Sequence, residues 1–168
     1  DTLSKVLANV AGRTEESHPL LERRDGGRTW LVVVSSDKGL CGSFNANLLR
    51  KVEKDLKNER WPDVEVIAIG RKASDFFRVR DFAVAHQERE TMSQLTVADG
   101  QRLGAMFMEA FTSGQIDDVW LVYNKFVSVL RQEITYEQLL PIEPPEADPD
   151  AEDAATDYLY EPDAAGLL

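Results

Sequence analysis

WLVVVSSDKGLCGSFNANLLRKVEKDLKNERWPDVEVIAIG, residues 30–70, reads as a complete strand, turn, helix and strand. Trp30 to Val34 gives five consecutive apolar residues rich in valine. That run is too short for a helix and suits a strand covered on both faces. Gly39 and Gly42 then break the chain, and Phe44, Leu48, Leu49, Val52 and Leu56 recur at spacings of 4, 1, 3 and 4, the stripe of an amphipathic helix. Its outer face carries Arg50, Lys51, Lys54 and Lys57 among Glu53, Asp55 and Glu59, and Trp61-Pro62 closes it. Val64 to Ile69 is a second largely apolar run, ended by Gly70. Two strands in this order, joined by a crossover helix, are expected to be parallel neighbours with a right-handed connection.

Working toward the C-terminus, a short helix from Lys72 to Arg78 and a short strand from Phe82 to Ala85 repeat the unit. Leu103, Met106, Phe107, Ala110 and Phe111 have the spacing of a core-facing helix, with Thr96 three residues before Asp99 as its start. Asp118 to Asn124 is the next strand, and Asn124-Lys125-Phe126 leads into Val127 to Leu140. There Leu130, Ile134 and Tyr136 share one parity while Arg131, Glu133 and Thr135 share the other, which predicts a half-buried antiparallel edge strand. Pro141 to Ala155 holds four prolines and a dense run of acids, the composition of a linker. Toward the N-terminus, Arg13 to Arg28 is polar and reads as a loop, while Leu3, Val6, Leu7 and Val10 form one helical stripe within Thr2 to Ala11.

The 168 residues suit one globular domain. The net charge of -11 is unevenly placed, because no Lys or Arg follows Arg131 while eleven Asp and Glu do. The body is therefore neutral, and an acidic tail beside a neutral body is a poor partner for nucleic acid. No apolar run approaches the roughly 18 residues needed to span a bilayer. The single cysteine, Cys41, has no second thiol to pair with.

A glycine turn between a strand and a helix is where parallel α/β proteins bind phosphates, so the Asp37 to Gly42 turn invites a nucleotide reading. It departs from both phosphate signatures. Gly39-x-x-Gly42 lacks the third glycine of GxGxxG, Gly70-Arg71 stands where an acidic ribose ligand belongs, and Ser43-Phe44 follows Gly42 where a P-loop needs Lys and a hydroxyl. Cys41 at a helix N-terminus could be activated as a thiolate, but neither His18 nor His86 is placed near it by sequence, and neither histidine has a second metal ligand at helical or hairpin spacing. The acidic stretch from Glu143 to Asp157 lacks the regular ligand spacing of a calcium loop. The residues alone leave two classes open: a small nucleotide-binding α/β enzyme using the Asp37 to Gly42 turn, and a non-enzymatic interaction domain.

SSDKGLCGSFNANL, Ser35 to Leu48, resembles the SSDRGLCGxxNxNL signature of the F-type ATP synthase gamma subunits. VLANVAG at Val6 to Gly12, YNKF at Tyr123 to Phe126 and DYLYEP at Asp157 to Pro162 agree in the same order. The resemblance implies an α/β fold, a Rossmann-like mostly parallel sheet with flanking helices and an antiparallel edge strand, over residues 28–141. By the same resemblance residues 1–12 are a stub of an N-terminal shaft helix, 142–157 an acidic Pro-rich linker and 158–168 the start of a C-terminal shaft helix. It also implies a non-catalytic central-stalk rotor subunit without cofactor, which couples c-ring rotation to the catalytic beta subunits. The implied partners are the alpha, beta and epsilon subunits and the c ring, with membrane association only through the complex. The cysteine-containing segment of chloroplast relatives is missing. The expected place is the cytoplasmic face of the bacterial plasma membrane, ahead of the mitochondrial matrix side. Lys38, Cys41, Arg50, Lys51 and Lys54 become candidate contacts with beta, and Tyr158, Tyr160 and Glu161 candidate contacts with the c ring.

Overall fold

The computed structural model describes residues 18–36, 42–89 and 94–143. Strands β1 (Arg28–Val34), β2 (Asp63–Ile69), β3 (Val84–Glu88), β4 (Asp118–Ser128) and β5 (Arg131–Leu140) form one sheet in the order β3-β2-β1-β4-β5. β1 pairs in parallel with β2 and β4, β2 pairs in parallel with β3, and only β5 runs antiparallel, along the edge of β4. Helices α1 (Gly42–Lys57), α2 (Arg71–Arg78) and α3 (Val97–Thr112) connect the parallel strands. This is the α/β class and the mostly parallel sheet that the sequence implies.

Alternate residues of each inner strand feed two separate cores, because side chains point to opposite faces with period two. Leu31, Val33, Val66, Ala68 and Val122 pack with Leu48, Leu49, Val52 and Leu56 of α1 and Phe77 of α2. On the opposite face Trp30, Val32, Ile67, Ile69 and Val119 pack with Phe107, Ala110 and Phe111 of α3. β1 is thus buried on both faces, which is why it reads as an unbroken apolar run. Thr96 caps α3 as expected: its hydroxyl accepts from the Asp99 amide at 3.3 Å while the Asp99 carboxylate accepts from the Thr96 amide at 2.8 Å.

Four boundaries differ from the sequence expectation. β3 starts at Val84 and continues through His86, Gln87 and Glu88, whereas Phe82, expected in the strand, turns its ring edge onto Phe77 at 5.9 Å. An edge strand needs no apolar continuity, so its polar half left no signal. The loop expected from Arg13 to Arg28 includes a short 3-10 turn, Pro19–Leu21, that brings Leu20 against the second core. α1 ends at Lys57 and Trp61, expected only as a helix stop, is itself buried in the first core. Finally, Asn124-Lys125-Phe126 does not leave the sheet: β4 runs on to Ser128, and Leu130, expected on the buried parity with Ile134 and Tyr136, stands in the turn at 93% exposure. Strand pairing continues there past the end of the helices that cover the sheet. The helices expected over 1–12 and 158–168, and most of the linker expected over 142–157, lie outside the described residues.

Candidate functional site

The C-terminal ends of β1 and β4 and the first turn of α1 meet at one end of the sheet. Asn45 is buried there and holds both polar groups of a single backbone residue: its Oδ1 accepts from the Ser36 amide at 3.0 Å and its Nδ2 donates to the Ser36 carbonyl at 2.6 Å. A side-chain amide carries an acceptor and a donor on separate atoms and satisfies both at once, whereas an ionised carboxylate has no donor for the carbonyl. The clasp ties the end of β1 to the first turn of α1. Asn124 of β4 adds a second tie, donating from Nδ2 to the Phe44 carbonyl at 3.1 Å. Two signature segments that lie eighty residues apart in the chain are thereby joined in space.

The neighbouring crevice, beyond β1 and β2, is filled by the protein. The Ser35 hydroxyl donates to the Ile69 carbonyl at 3.2 Å and accepts from the Ala73 amide at 3.0 Å, so it takes one of the free amides at the start of α2. Gly70 sits at φ 93, and a Cβ on it would come within 2.7 Å of the Ser35 carbonyl oxygen. That position requires glycine for both conformation and space. Anion binding at this helix start would have to displace the serine. Residues 37–41, which carry the rest of the candidate nucleotide turn, are outside the described set.

Farther along α1, Asp55 is buried and forms a polar lock that periodicity does not announce. Its carboxylate accepts from Lys51 Nζ at 2.6 Å and from the Tyr136 hydroxyl of β5 at 2.6 Å, with Arg60 3.6 Å away. The Arg60 guanidinium lies over the rings of both Trp61 and Tyr136. Burial alone would raise the Asp55 carboxyl, but the hydrogen bonds from Lys51 and Tyr136 outweigh it and hold the group below its ordinary value. Tyr136 is pushed far up, first by burial and then by the Asp55 carboxylate, so its hydroxyl stays a donor. At the opposite end of the sheet Arg28 grips Asp117 with two bonds of 3.0 Å, and this pairing keeps the Asp117 carboxyl low.

The family model described as ATP synthase matches residues 1–168. The chain belongs to that family. Among curated relatives, the ATP synthase gamma chain of Geobacter sp. is 40% identical over 171 residues, covering 99% of this chain and 58% of that one. The ATP synthase gamma chain of Pelotomaculum thermopropionicum is 35% identical over 170 residues, covering 98% of this chain and 59% of that one. The chain therefore spans less than two thirds of the length of these gamma chains. A chain of the Tetrahymena thermophila mitochondrial ATP synthase central stalk and c-ring structure superposes with a TM-score of 0.54 at 22% identity, covering 83% of this chain and 71% of that one. That likeness shows the shared fold.

Within this ATP synthase gamma-type fold, the candidate beta contacts on α1 separate into two kinds. Arg50 and Lys54 are exposed, have no ion-pair partner among the described residues, and line a shallow surface depression with Glu53, Lys57 and Asn58. Lys51 is held by Asp55. An acid four residues on from a lysine is the signal that could have identified this pairing from sequence. Lys38, Cys41, Tyr158, Tyr160 and Glu161 lie outside the described residues. His18 accepts from the Leu20 amide through Nδ1, and His86 pairs with Glu88 at 2.7 Å, so both histidines have local structural partners. Sequence reasoning missed the clasping roles of Asn45 and Asn124, which lie inside the signatures but have no periodic signal.

Proposed function

We propose that this chain is the globular body of the rotor subunit of a proton-translocating ATP synthase, a non-catalytic subunit that transmits c-ring rotation to the catalytic beta subunits. In this reading residues 28–141 are the body, 142–157 a solvated linker, and 1–12 and 158–168 the roots of a two-helix shaft. Its partners are the alpha and beta subunits, the epsilon subunit and the c ring. Its place is the cytoplasmic face of a bacterial membrane, reached through the complex.

The observation that carries the reading is the joining of the two signature segments by Asn45 and Asn124. Their polar groups tie the end of β1 and the first turn of α1 to β4, which suits a contact surface that must carry load. Arg50 and Lys54 suit contacts that slide, because exposed ion pairs are individually weak and exchange readily. Calorimetric titration of the folded chain with the cognate epsilon subunit tests the proposal. Saturable binding, together with no heat of binding from ATP, is expected. Absence of epsilon binding with both partners folded, or micromolar ATP binding, would count against it.

A further inference from the structure

Two carboxylates on the α1 side of the sheet are treated in opposite ways. Asp55 is buried and satisfied by Lys51, Tyr136 and Arg60. Asp118 opens β4 with the strand parity of Trp120 and Val122, so it faces the same side, at the foot of the sheet. Its Oδ1 is sealed from solvent and has no hydrogen-bond partner, alone in this among the buried side-chain oxygens and nitrogens of the described residues. Buried polar atoms are otherwise almost always paired, so an orphaned carboxylate oxygen calls for a physical reason.

The surroundings supply donors but no positive charge. Thr29, opposite Asp118 in the β1–β4 ladder, and Trp120 act on the carboxylate as hydrogen-bond donors. The charge that reaches it is that of Asp117, of the same sign. Asp117 cannot turn away. Arg28 holds it through the backbone amide, Nε and Nη2, each at 3.0 Å, and Gly26 passes so close that a Cβ there would lie 2.2 Å from its Oδ2. The same grip engages Arg28, the cation that could have balanced Asp118. From α1 and the turn after it, Lys51 and Arg60 are taken by Asp55. β2 brings Asp63, in register with Arg28, while its Glu65 is bonded to Trp30 on the opposite face. β5 brings the uncharged Gln138, opposite Trp120, and its pairing with β4 begins only at Val119. Burial, with Asp117 adding to it, outweighs the two donors and holds the Asp118 carboxyl above the ordinary range, the reverse of Asp55 and Asp117.

We propose that Asp118 is a proton-sensitive pin in the seam between β1 and β4, a conformational device built into the foot of the body. With its proton on, the carboxyl is neutral and the seam closes over it. With the proton lost, an unpaired negative charge stands beside Asp117 inside the fold, and the seam opens more often. A carboxyl held above its unfolded value near 4 contributes stability that is fully present below that value and is lost as pH rises through the folded value. This device belongs to the body itself and does not depend on the rotor reading.

The test is urea unfolding of the folded chain from about pH 4 to about pH 7.5, with Asp118→Asn and Asp118→Leu as side chains of similar size that cannot ionise. The midpoint of each variant minus that of the parent should rise with pH, whatever its value at the acid end, because only the parent ionises at this position. Native-state hydrogen exchange places the effect. After correction for intrinsic rates, opening of the Thr29 to Leu31 and Val119 to Leu121 amides of the parent should become about twofold or more frequent between about pH 5 and about pH 7. Asp118→Asn should remove that change. A variant-minus-parent difference that is flat or falls with pH overturns the proposal, as does seam exchange with the same pH dependence in the parent and in Asp118→Asn. Should Asp118→Leu not fold, the Asp118→Asn comparison decides alone.

Discussion

The two ends of a single hairpin obey opposite rules. Near its base, Val119 and Val122 are fully buried, and the polar groups that accompany them are held by partners, with Tyr136 bonded to the buried Asp55 and Asp117 gripped by Arg28. At its tip the apolar residues face outward. Asp118 Oδ1 apart, the base follows the rule that buried polar groups are hydrogen-bonded. The tip departs from the rule that turns are polar. One strand pair thus serves as a structural element over its first half and as a projecting surface over its second, and the changeover falls at Asn124, where β4 ties itself to α1 for the last time.

Perturbing the base should have the largest effect on stability. Trp61 is buried against Tyr136, with ring centroids 5.9 Å apart, and Trp61→Ala should cost about 3 to 5 kcal/mol by opening a cavity under the hairpin. Urea unfolding followed by the fluorescence of Trp30 and Trp120 measures it, and a cost within experimental error would break the comparison. A smaller loss, about 1 kcal/mol, is expected from Tyr136→Phe, which removes one of the donors to Asp55. This variant also tests the pH dependence. The Asp55 and Asp117 carboxyls are held low in the folded chain, so their contribution is present above the unfolded value near 4 and is lost as pH falls through it and below. Tyr136→Phe should make the acid loss shallower, since Asp55 then starts from a less depressed value. The smallest stability change belongs to the tip: Leu130→Ser should fall within about 0.5 kcal/mol of the parent. A large destabilisation there would show that the tip is part of the core after all.

The sequence made the base legible and the tip obscure for one physical reason. Trp30 to Val34 and Val64 to Ile69 lie beneath helices on both faces, so their burial is written as an unbroken apolar run in the first and a run interrupted only by Glu65 in the second. Alternation from Ile134 to Tyr136 likewise announced an edge strand half covered by α1. Leu130 continues the same parity, and alternation alone carries no mark for the point where the covering helix stops. Lys51 shows a different limit. Periodicity put it on the outer face of α1 correctly, but its partner Asp55 is buried only because Tyr136 arrives from β5, eighty-one residues later. Asn45 and Asn124 were visible solely as letters of two signatures, because a side-chain clasp has no period. β3 was partly legible, its polar second half having no core to face.

The central claim is the proposal that the signature segment holding Cys41 meets the catalytic subunits of a rotary complex, and Cys41 is its natural reporter. In the assembled complex containing the full-length subunit, mild oxidation should form a disulfide between Cys41 and one of a set of single cysteines introduced over the exposed surface of beta. ATP hydrolysis should stop with that bond and return when it is reduced. Full ATP turnover while the cross-link is demonstrably in place, or no cross-link under conditions in which both thiols react with a small oxidant, would contradict the account.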